Sequence, residues 1–220
     1  MKQFGITDPK IEDYLYSNLP ERPATLVDME AHAEREGVAI IGPMEGQFLY
    51  TLALATGAKE MLDVGTAIGY SAMWLALAAR QNEGRVVTLE RDEKKAAWAE
   101  AYFRQAGLSG VCAVRRGDAL AIMRGMQESF DLIFLDILTQ FDHPDTALQM
   151  LDLCVTLLRP GGVLLSDNAL RSGRVLDTSR QDPSTQGIAA FNQAIIAHPR
   201  LVSSIVPIRD GVSISVKRER

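Results

Sequence analysis

Residues able to do chemistry fall in separate groups along this chain. The first is Met61-Leu62-Asp63-Val64-Gly65-Thr66-Ala67-Ile68-Gly69-Tyr70-Ser71, an apolar run that ends in an acid and a glycine, turns through a second glycine and enters a helical pattern. A glycine turn between strand and helix lets a backbone lie against a nucleoside, and the first N–H groups of the helix favour an anionic substituent. The second is Glu90, at the end of Arg85-Val86-Val87-Thr88-Leu89. It stands roughly 20 residues on, where such folds place the acid that bonds ribose hydroxyls. The third pairs Asp136, which ends Leu132-Ile133-Phe134-Leu135, with Asp167-Asn168, which end Val163-Leu164-Leu165-Ser166. Two carboxylates and an amide are hard oxygen donors, suited to Mg²⁺, Ca²⁺ or Mn²⁺ and unsuited to a thiolate zinc site. His32, His143 and His198 have no metal-site spacing.

The glycines of the turn read GxxxG and not GxGxxG. A dinucleotide needs the further close approach for its pyrophosphate, whereas a ligand without phosphates does not, so the spacing favours S-adenosylmethionine over NAD. Gly65, Thr66, Gly69 and Tyr70 are then candidate cofactor contacts. Asp63 either reaches the methionyl amine through water or only fixes the turn. Ser71 is an N-cap, a ligand for the methionine carboxylate, or both.

Placing these residues requires a regular scaffold, and the hydrophobic patterns supply one. Helical spacing over 8–19 and 25–36, closed by Pro20 and Gly37, predicts an accessory cap ahead of the first strand. Strands are predicted over 60–65, 85–90, 112–116, 131–136 and 163–167, with helices over 71–80, 92–106, 144–158 and 185–198. Near-continuous apolar strands alternating with amphipathic helices indicate a parallel sheet covered on both faces. The end differs: 201–209 and 212–217 are β-rich runs joined through Asp210-Gly211, a hairpin signal. The polar stretch 178–185 reads as a surface loop beside the site.

The 220 residues suit one large domain, and 47% hydrophobic with 23% charged residues suits a soluble protein with a substantial core. The formal net charge of −5 gives no electrostatic reason to expect nucleic acid, although a local basic groove is compatible with it. Cys112 and Cys154 sit in apolar runs, as reduced core residues of a cytosolic protein do. No apolar run approaches the ~20 residues that span a membrane, and Asp8, Glu12 and Asp13 fall where a signal peptide needs apolar residues. A cytoplasmic protein is expected.

In order and spacing, Gly46-Gln47, the turn from Asp63 to Ser71, Glu90, Gly117-Asp118-Ala119, Phe130 to Asp136, and Gly161 to Val175 resemble the class I S-adenosylmethionine-dependent methyltransferases. More narrowly, the chain resembles the cation-dependent O-methyltransferases of the catechol and caffeoyl-CoA type over about 29–217. The resemblance implies a Rossmann-like α/β fold, with a mostly parallel seven-stranded sheet, helices on both faces and a C-terminal antiparallel hairpin. It implies one domain over 1–220, divided into a helical cap over 1–58 and a cofactor-binding core over 59–220. The implied cofactors are S-adenosylmethionine and a divalent cation. By the same resemblance Ile41 and Gly42 lie over the methionine moiety, unless Ile41 is simply packed, and Asp118 and Ala119 meet the adenine, unless Asp118 only caps a helix. Asp136, Asp167 and Asn168 would be the cation ligands, with Asp136 also a catalytic and cofactor contact. A homodimer is implied as well, and Leu15, Leu19, Leu26 and Val27 on the N-terminal helices are apolar residues it would cover.

The chain departs from that family at one place. Leu138 and Thr139 stand where a second Asp and a general-base Lys are expected, and Arg171 replaces a frequent aromatic residue. A threonine cannot act as a base near neutral pH. His143 and Asp142 are the nearby substitutes. The leading reading is an O-methyltransferase acting on a catechol-like small molecule. The alternatives are methylation of a hydroxylated uridine in tRNA and a cofactor-binding homologue that has lost catalysis, with an NAD-dependent reductase more distant.

Overall fold

The computed structural model describes residues 8–141, 143–177, 179 and 182–219. Their packing forms two compact units, one over 9–122 and one from Met123 onward. Seven strands are ordered β3-β2-β1-β4-β5-β7-β6. The expected architecture is borne out: a mostly parallel sheet with helices around it that ends in an antiparallel hairpin.

In the first unit, helices α1 (Pro9–Ser17), α2 (Ala24–Glu36) and α3 (Gly42–Ala55) precede β1 (Glu60–Val64). The segment then alternates through α4 (Tyr70–Gln81), β2 (Arg85–Glu90), α5 (Glu93–Gln105), β3 (Cys112–Arg116) and the start of α6 (Ala119–Gly125). β1 and β2 pair in parallel with Val64 opposite Leu89, and β2 and β3 pair in parallel with Glu90 opposite Arg116. Met61, Leu62, Asp63 and Val64 are all buried, so both faces of β1 are covered, as a parallel strand requires. Helix α4 is buried on nearly every side, which fits its run of alanines between Met73, Trp74 and Leu75. Gly46 explains how α3 approaches it: a methyl group there would lie 2.1 Å from the Trp74 indole nitrogen. Only hydrogen fits at that crossing.

In the second unit, β4 (Phe130–Leu135) leads through a 3-10 turn, Leu138–Gln140, to α7 (Pro144–Leu157) and directly into β5 (Leu158–Ser166). A second 3-10 segment, Arg171–Leu176, precedes α8 (Pro183–Ala197), β6 (Leu201–Val206) and β7 (Val212–Lys217). β4 and β5 are parallel, and β7 runs antiparallel to both β5 and β6. Leu132–Leu135 of β4 are fully buried, and Phe191 and Ile195 of α8 and Leu151 and Cys154 of α7 complete this core.

Several boundaries differ from the sequence expectations for local reasons. α8 begins at Pro183 and not at 185, because Asp182 caps it by accepting the Thr185 N–H at 3.0 Å. That shortens the expected 178–185 loop, of which Thr178, Arg180 and Gln181 lie outside the described residues. α6 and the two 3-10 segments are short elements with no strong periodicity. The hairpin is not closed by a two-residue turn. Val206 pairs with Val212, so residues 207–211 form the connection, with Arg209 and Gly211 in left-handed backbone (φ +51° and +82°). No helix among the described residues is long and apolar enough to cross a membrane.

Candidate active site

The end of β1 is tied to the end of β2 by backbone bonds. Gly65 (φ +111°) and Thr66 donate their N–H groups to the Leu89 carbonyl at 3.3 and 3.1 Å. Ala67 takes a left-handed conformation (φ +47°), unusual for a residue with a side chain, and donates its N–H to Glu90 Oε2 at 2.7 Å. Glu90 Oε1 accepts the Asp92 N–H at 2.8 Å. Glu90 therefore braces the glycine turn with one backbone donor on each oxygen. A carboxylate offers about four lone-pair sites, so capacity for ribose hydroxyls remains.

Asp63 lies beneath this turn, fully buried. The Thr66 hydroxyl meets that of Thr88, which donates in turn to Asp63 Oδ2. Oδ1 has no hydrogen-bond partner among the described residues, although the Ser71 hydroxyl is near enough to favour the charged form. Burial pushes this carboxyl up to about 7; Thr88 and Ser71 oppose the rise and the charge of Glu90 adds to it. A buried acid with an open oxygen fits a cationic group of a ligand, and the glycine turn fits a ligand without phosphates, so these residues suit S-adenosylmethionine.

Other expected cofactor residues have protein partners of their own. Gly69 (φ +87°) precedes α4, and a methyl there would lie 2.9 Å from Ala99 Cβ and Phe103 Cζ, so it is α5 that requires this glycine. Ser71 is the second residue of α4 and not its N-cap. The Tyr70 ring is buried and its hydroxyl donates to Glu30 at 2.7 Å, while Arg22 grips both Glu30 oxygens at 2.9 and 3.1 Å. Burial and that acceptor raise the tyrosine pKa. Only the Tyr70 backbone is left for a ligand. Ile41 is buried at the start of α3, next to Gly42 (φ +71°). Asp118 is exposed and caps α6 through the Ala121 N–H at 2.9 Å, with Ala119 opening that helix. Thr88 went unnoticed in the sequence; its signal was a polar residue inside the apolar run of β2.

The second unit brings Asp136, Asp167 and Asn168 to one end of β4 and β5. Leu135 of β4 pairs with Ser166 of β5, and the Asp167 N–H donates to the Leu135 carbonyl at 3.0 Å. Asp136 and Asp167 thus leave neighbouring parallel strands at the same level. Asp167 is buried and Asp136 half-buried. Asn168 (φ +63°) turns back on Asp167, its N–H donating to Oδ1 at 2.6 Å and its Nδ2 to Oδ2 at 3.0 Å. The amide nitrogen is the donor in this pair, so the Asn168 amide oxygen is the group of this side chain able to bind a cation. Among the described residues no group of three His, Cys, Asp or Glu could hold a metal. The set present is two carboxylates and an amide, all hard oxygen donors that fit a divalent cation in type.

The positions that depart from the family now have physical roles. Leu138 is 1% exposed and belongs to the core, while Thr139 stays half-buried in the 3-10 turn. His143 is 64% exposed and caps α7, accepting the Asp145 N–H on Nδ1 at 3.2 Å. Asp142 lies outside the described residues. After Asn168 the loop holds Arg171, Ser172 and Gly173 at φ +48°, +52° and +76°. Left-handed backbone costs a residue with a side chain on the order of 1–2 kcal/mol, so contacts elsewhere must enforce it. The turn between β6 and β7 makes them: Ala169 and Leu170 donate to the carbonyls of Gly211 and Asp210 at 2.9 and 2.8 Å, and the Ser172 N–H donates to Asp210 Oδ1. Asn192 of α8 donates to the Ala169 carbonyl at 2.7 Å, and Arg171 Nη2 to Ser184 Oγ at 2.9 Å. Asp210 is 4% exposed; burial raises its pKa, against the pull of the Ser172 N–H and of Arg171, Arg209 and Arg174.

Known proteins agree with this architecture. The family described as O-methyltransferase matches residues 17–218. A catechol O-methyltransferase of Niastella koreensis is 34% identical over 206 residues, covering 89% of this chain and 90% of that protein. The mouse catechol O-methyltransferase domain-containing protein 1 is 30% identical, covering 96% and 80%. The crystal structure of an O-methyltransferase from Bacillus cereus in complex with SAH superposes with a TM-score of 0.84 at 31% identity, over 95% of this chain and 97% of that one. The chain belongs to the O-methyltransferase family, as its motifs implied.

Proposed function

We propose that the chain transfers the methyl group of S-adenosylmethionine to a hydroxyl of a catechol-like small molecule, assisted by a divalent cation. The observation that carries the acceptor half of this reading is the register of β4 and β5, which delivers Asp136 and Asp167 side by side with Asn168 adjoining. The SAH complex of the Bacillus cereus relative and the catechol-directed name of the Niastella relative support cofactor and acceptor class respectively.

When bound, S-adenosylmethionine supplies an electrophilic methyl, and a divalent cation would template adjacent oxygens and favour ionisation of a bound hydroxyl. The chain's own residues orient and hold. Glu90 receives the ribose hydroxyls while keeping the glycine turn closed, and Asp63, buried beneath the turn, reaches the methionyl ammonium through water. Asp136, Asp167 and the Asn168 amide oxygen hold the cation. Methyl transfer is an in-line displacement, in which positioning alone can supply effective molarities of ~10⁵ M or more. No lysine stands at position 139, so the acceptor proton leaves to solvent. We further propose a homodimer as the working assembly. The acidic net charge favours a small molecule over tRNA as the acceptor.

The test is methyl transfer to a panel of catechols, with unmodified tRNA as a competing acceptor, in Mg²⁺ and after chelation. Catechol turnover should fall by on the order of 10²-fold in Asp167→Ala and on chelation, going by the losses typical of metal-site disruption. Full activity in both cases would remove the cation from this reading, and turnover of tRNA alone would replace the acceptor.

A further inference from the structure

We propose that the connection between β6 and β7 sets the position of the acceptor-side ligands, with Asp210 a positioning residue that acts through the backbone of 169–172 on Asn168 and Asp167. This rests on the assignment of Asp167 and Asn168 to the acceptor side.

The loop after β5 has two backbone bonds of its own, from the Arg171 N–H to the Asn168 carbonyl at 3.1 Å and from the Gly173 N–H to the Leu170 carbonyl at 2.8 Å, and its left-handed residues need further bracing. Asn168, Arg171, Ser172 and Gly173 all sit in left-handed backbone, and two of these positions, Arg171 and Ser172, carry residues that avoid it. Asn168 faces Asp167 with both its N–H and its side-chain amide only because its backbone is turned this way. Residues 210 and 211 enforce the turn at consecutive points. The Gly211 carbonyl takes the Ala169 N–H, the Asp210 carbonyl takes the Leu170 N–H, and the Asp210 side chain takes the Ser172 N–H. The fit is close: a methyl on Gly211 would lie 2.5 Å from Leu170 Cγ. Asp210 is nearly excluded from water, so its carboxylate is not simply a solvated turn residue. The β5–β7 ladder, with Ser166 opposite Ser213, delivers this turn to the loop where β5 ends. The side chain at 210 bonds the Ser172 N–H, downstream of Asp167 and Asn168. It fixes the chain that follows them.

Asp210→Ala removes the acceptor of the Ser172 N–H, whereas Asp210→Asn keeps an oxygen in its place. Three readouts on the whole protein separate positioning from general stability: amide hydrogen exchange over 168–173, Mn²⁺ binding by electron paramagnetic resonance, and S-adenosylhomocysteine affinity by calorimetry. Asp210→Ala should speed exchange at Asn168 and Ser172 and weaken Mn²⁺ by roughly tenfold, the lower range for loss of a residue that supports metal ligands. Nucleoside affinity should stay within about twofold, since its expected contacts lie elsewhere, and Asp210→Asn should recover most of the Mn²⁺ affinity. Unchanged exchange at Asn168 in Asp210→Ala would overturn the proposal, as would a loss of nucleoside affinity in step with that of Mn²⁺, or no recovery in Asp210→Asn. Should the unaltered protein bind no Mn²⁺, the cation reading falls, and exchange at Asn168 alone decides whether Asp210 positions this loop.

Discussion

The turn after β1 and the loop after β5 both leave the end of a parallel strand and both force residues with side chains into left-handed backbone, Ala67 in the one and Asn168, Arg171 and Ser172 in the other. They are held differently. The glycine turn draws its hydrogen bonds from Leu89, Glu90 and Thr88, all at the end of the next strand in sequence. The loop after β5 draws one bond from Asn192, no farther along the chain than Glu90 is from Ala67, and others from Asp210-Gly211, about 40 positions on. A site held by its own strand and the next one keeps a fixed local motif. A site held from a distance leaves its neighbours freer to change, and the altered positions, Leu138, Thr139 and Arg171, all lie on that side.

Experiments that perturb one half and read both will sharpen or break this contrast. The largest effect is expected on the acceptor side. Thr139 is half-buried beside a core leucine, so a lysine there can keep its ammonium near water. Thr139→Lys should raise the rate near neutral pH by up to roughly 10²-fold, the lower range for general-base assistance, and leave cofactor affinity unchanged. Steady-state rates across pH 6 to 9 with Mg²⁺ will check this, and an unaltered pH profile would show that position 139 does not serve the reacting hydroxyl.

Glu90→Ala is the matching change at the other end. It removes the proposed ribose acceptor and also the partners of the Ala67 and Asp92 N–H groups. S-adenosylmethionine binding should weaken by about 1.5–3 kcal/mol, measured calorimetrically, while Mn²⁺ binding is retained. Loss of both would mean that the two halves are not independent.

The smallest effect is a pH dependence. The Asp63 carboxyl is raised to about 7 in the folded protein, above its ordinary value of 3.8. The folded state therefore holds this proton more tightly than the unfolded one, and its contribution to stability is present below pH 4 and lost as the pH rises through 7. A ligand ammonium prefers the ionised acid, so cofactor affinity should rise ~10-fold between about pH 6 and 8, as the ionised fraction does for a group titrating near 7. Asp63→Asn should flatten both trends in thermal melts and in calorimetry. A wild-type affinity independent of pH in this window would detach Asp63 from the ligand.

Much of this was legible in the sequence, for reasons that follow the same contrast. β1, β2, β4 and the glycine turn announce themselves because buried parallel strands are mostly apolar and the candidate site residues stand at their ends. Asp136 and Asp167-Asn168 were equally visible at strand ends. What the sequence concealed depends on contacts between distant residues. Nothing near Gly69 says that Ala99 and Phe103 of α5 require it, and nothing near Gly46 says that Trp74 lies across it. Nothing near Tyr70 says that Glu30, itself held by Arg22, takes its hydroxyl. Asp210-Gly211 read as a plain hairpin turn, because pattern shows that a turn occurs but not what lies beneath it.

That turn has a consequence for the order in which a nascent chain becomes competent. Chains leave the ribosome from the N-terminal side at about 5–20 residues per second, and units begin to fold as they emerge. Every partner of the glycine turn named above precedes residue 104, so this turn has all its partners while much of the protein is still unmade. The loop carrying Asn168 waits for residues 210 and 211, which appear some 40 positions later. During that interval Asp167 and Asn168 exist without the geometry that aligns them. A cotranslational probe should thus find the glycine turn and the loop after β5 becoming ordered at different chain lengths, the turn first.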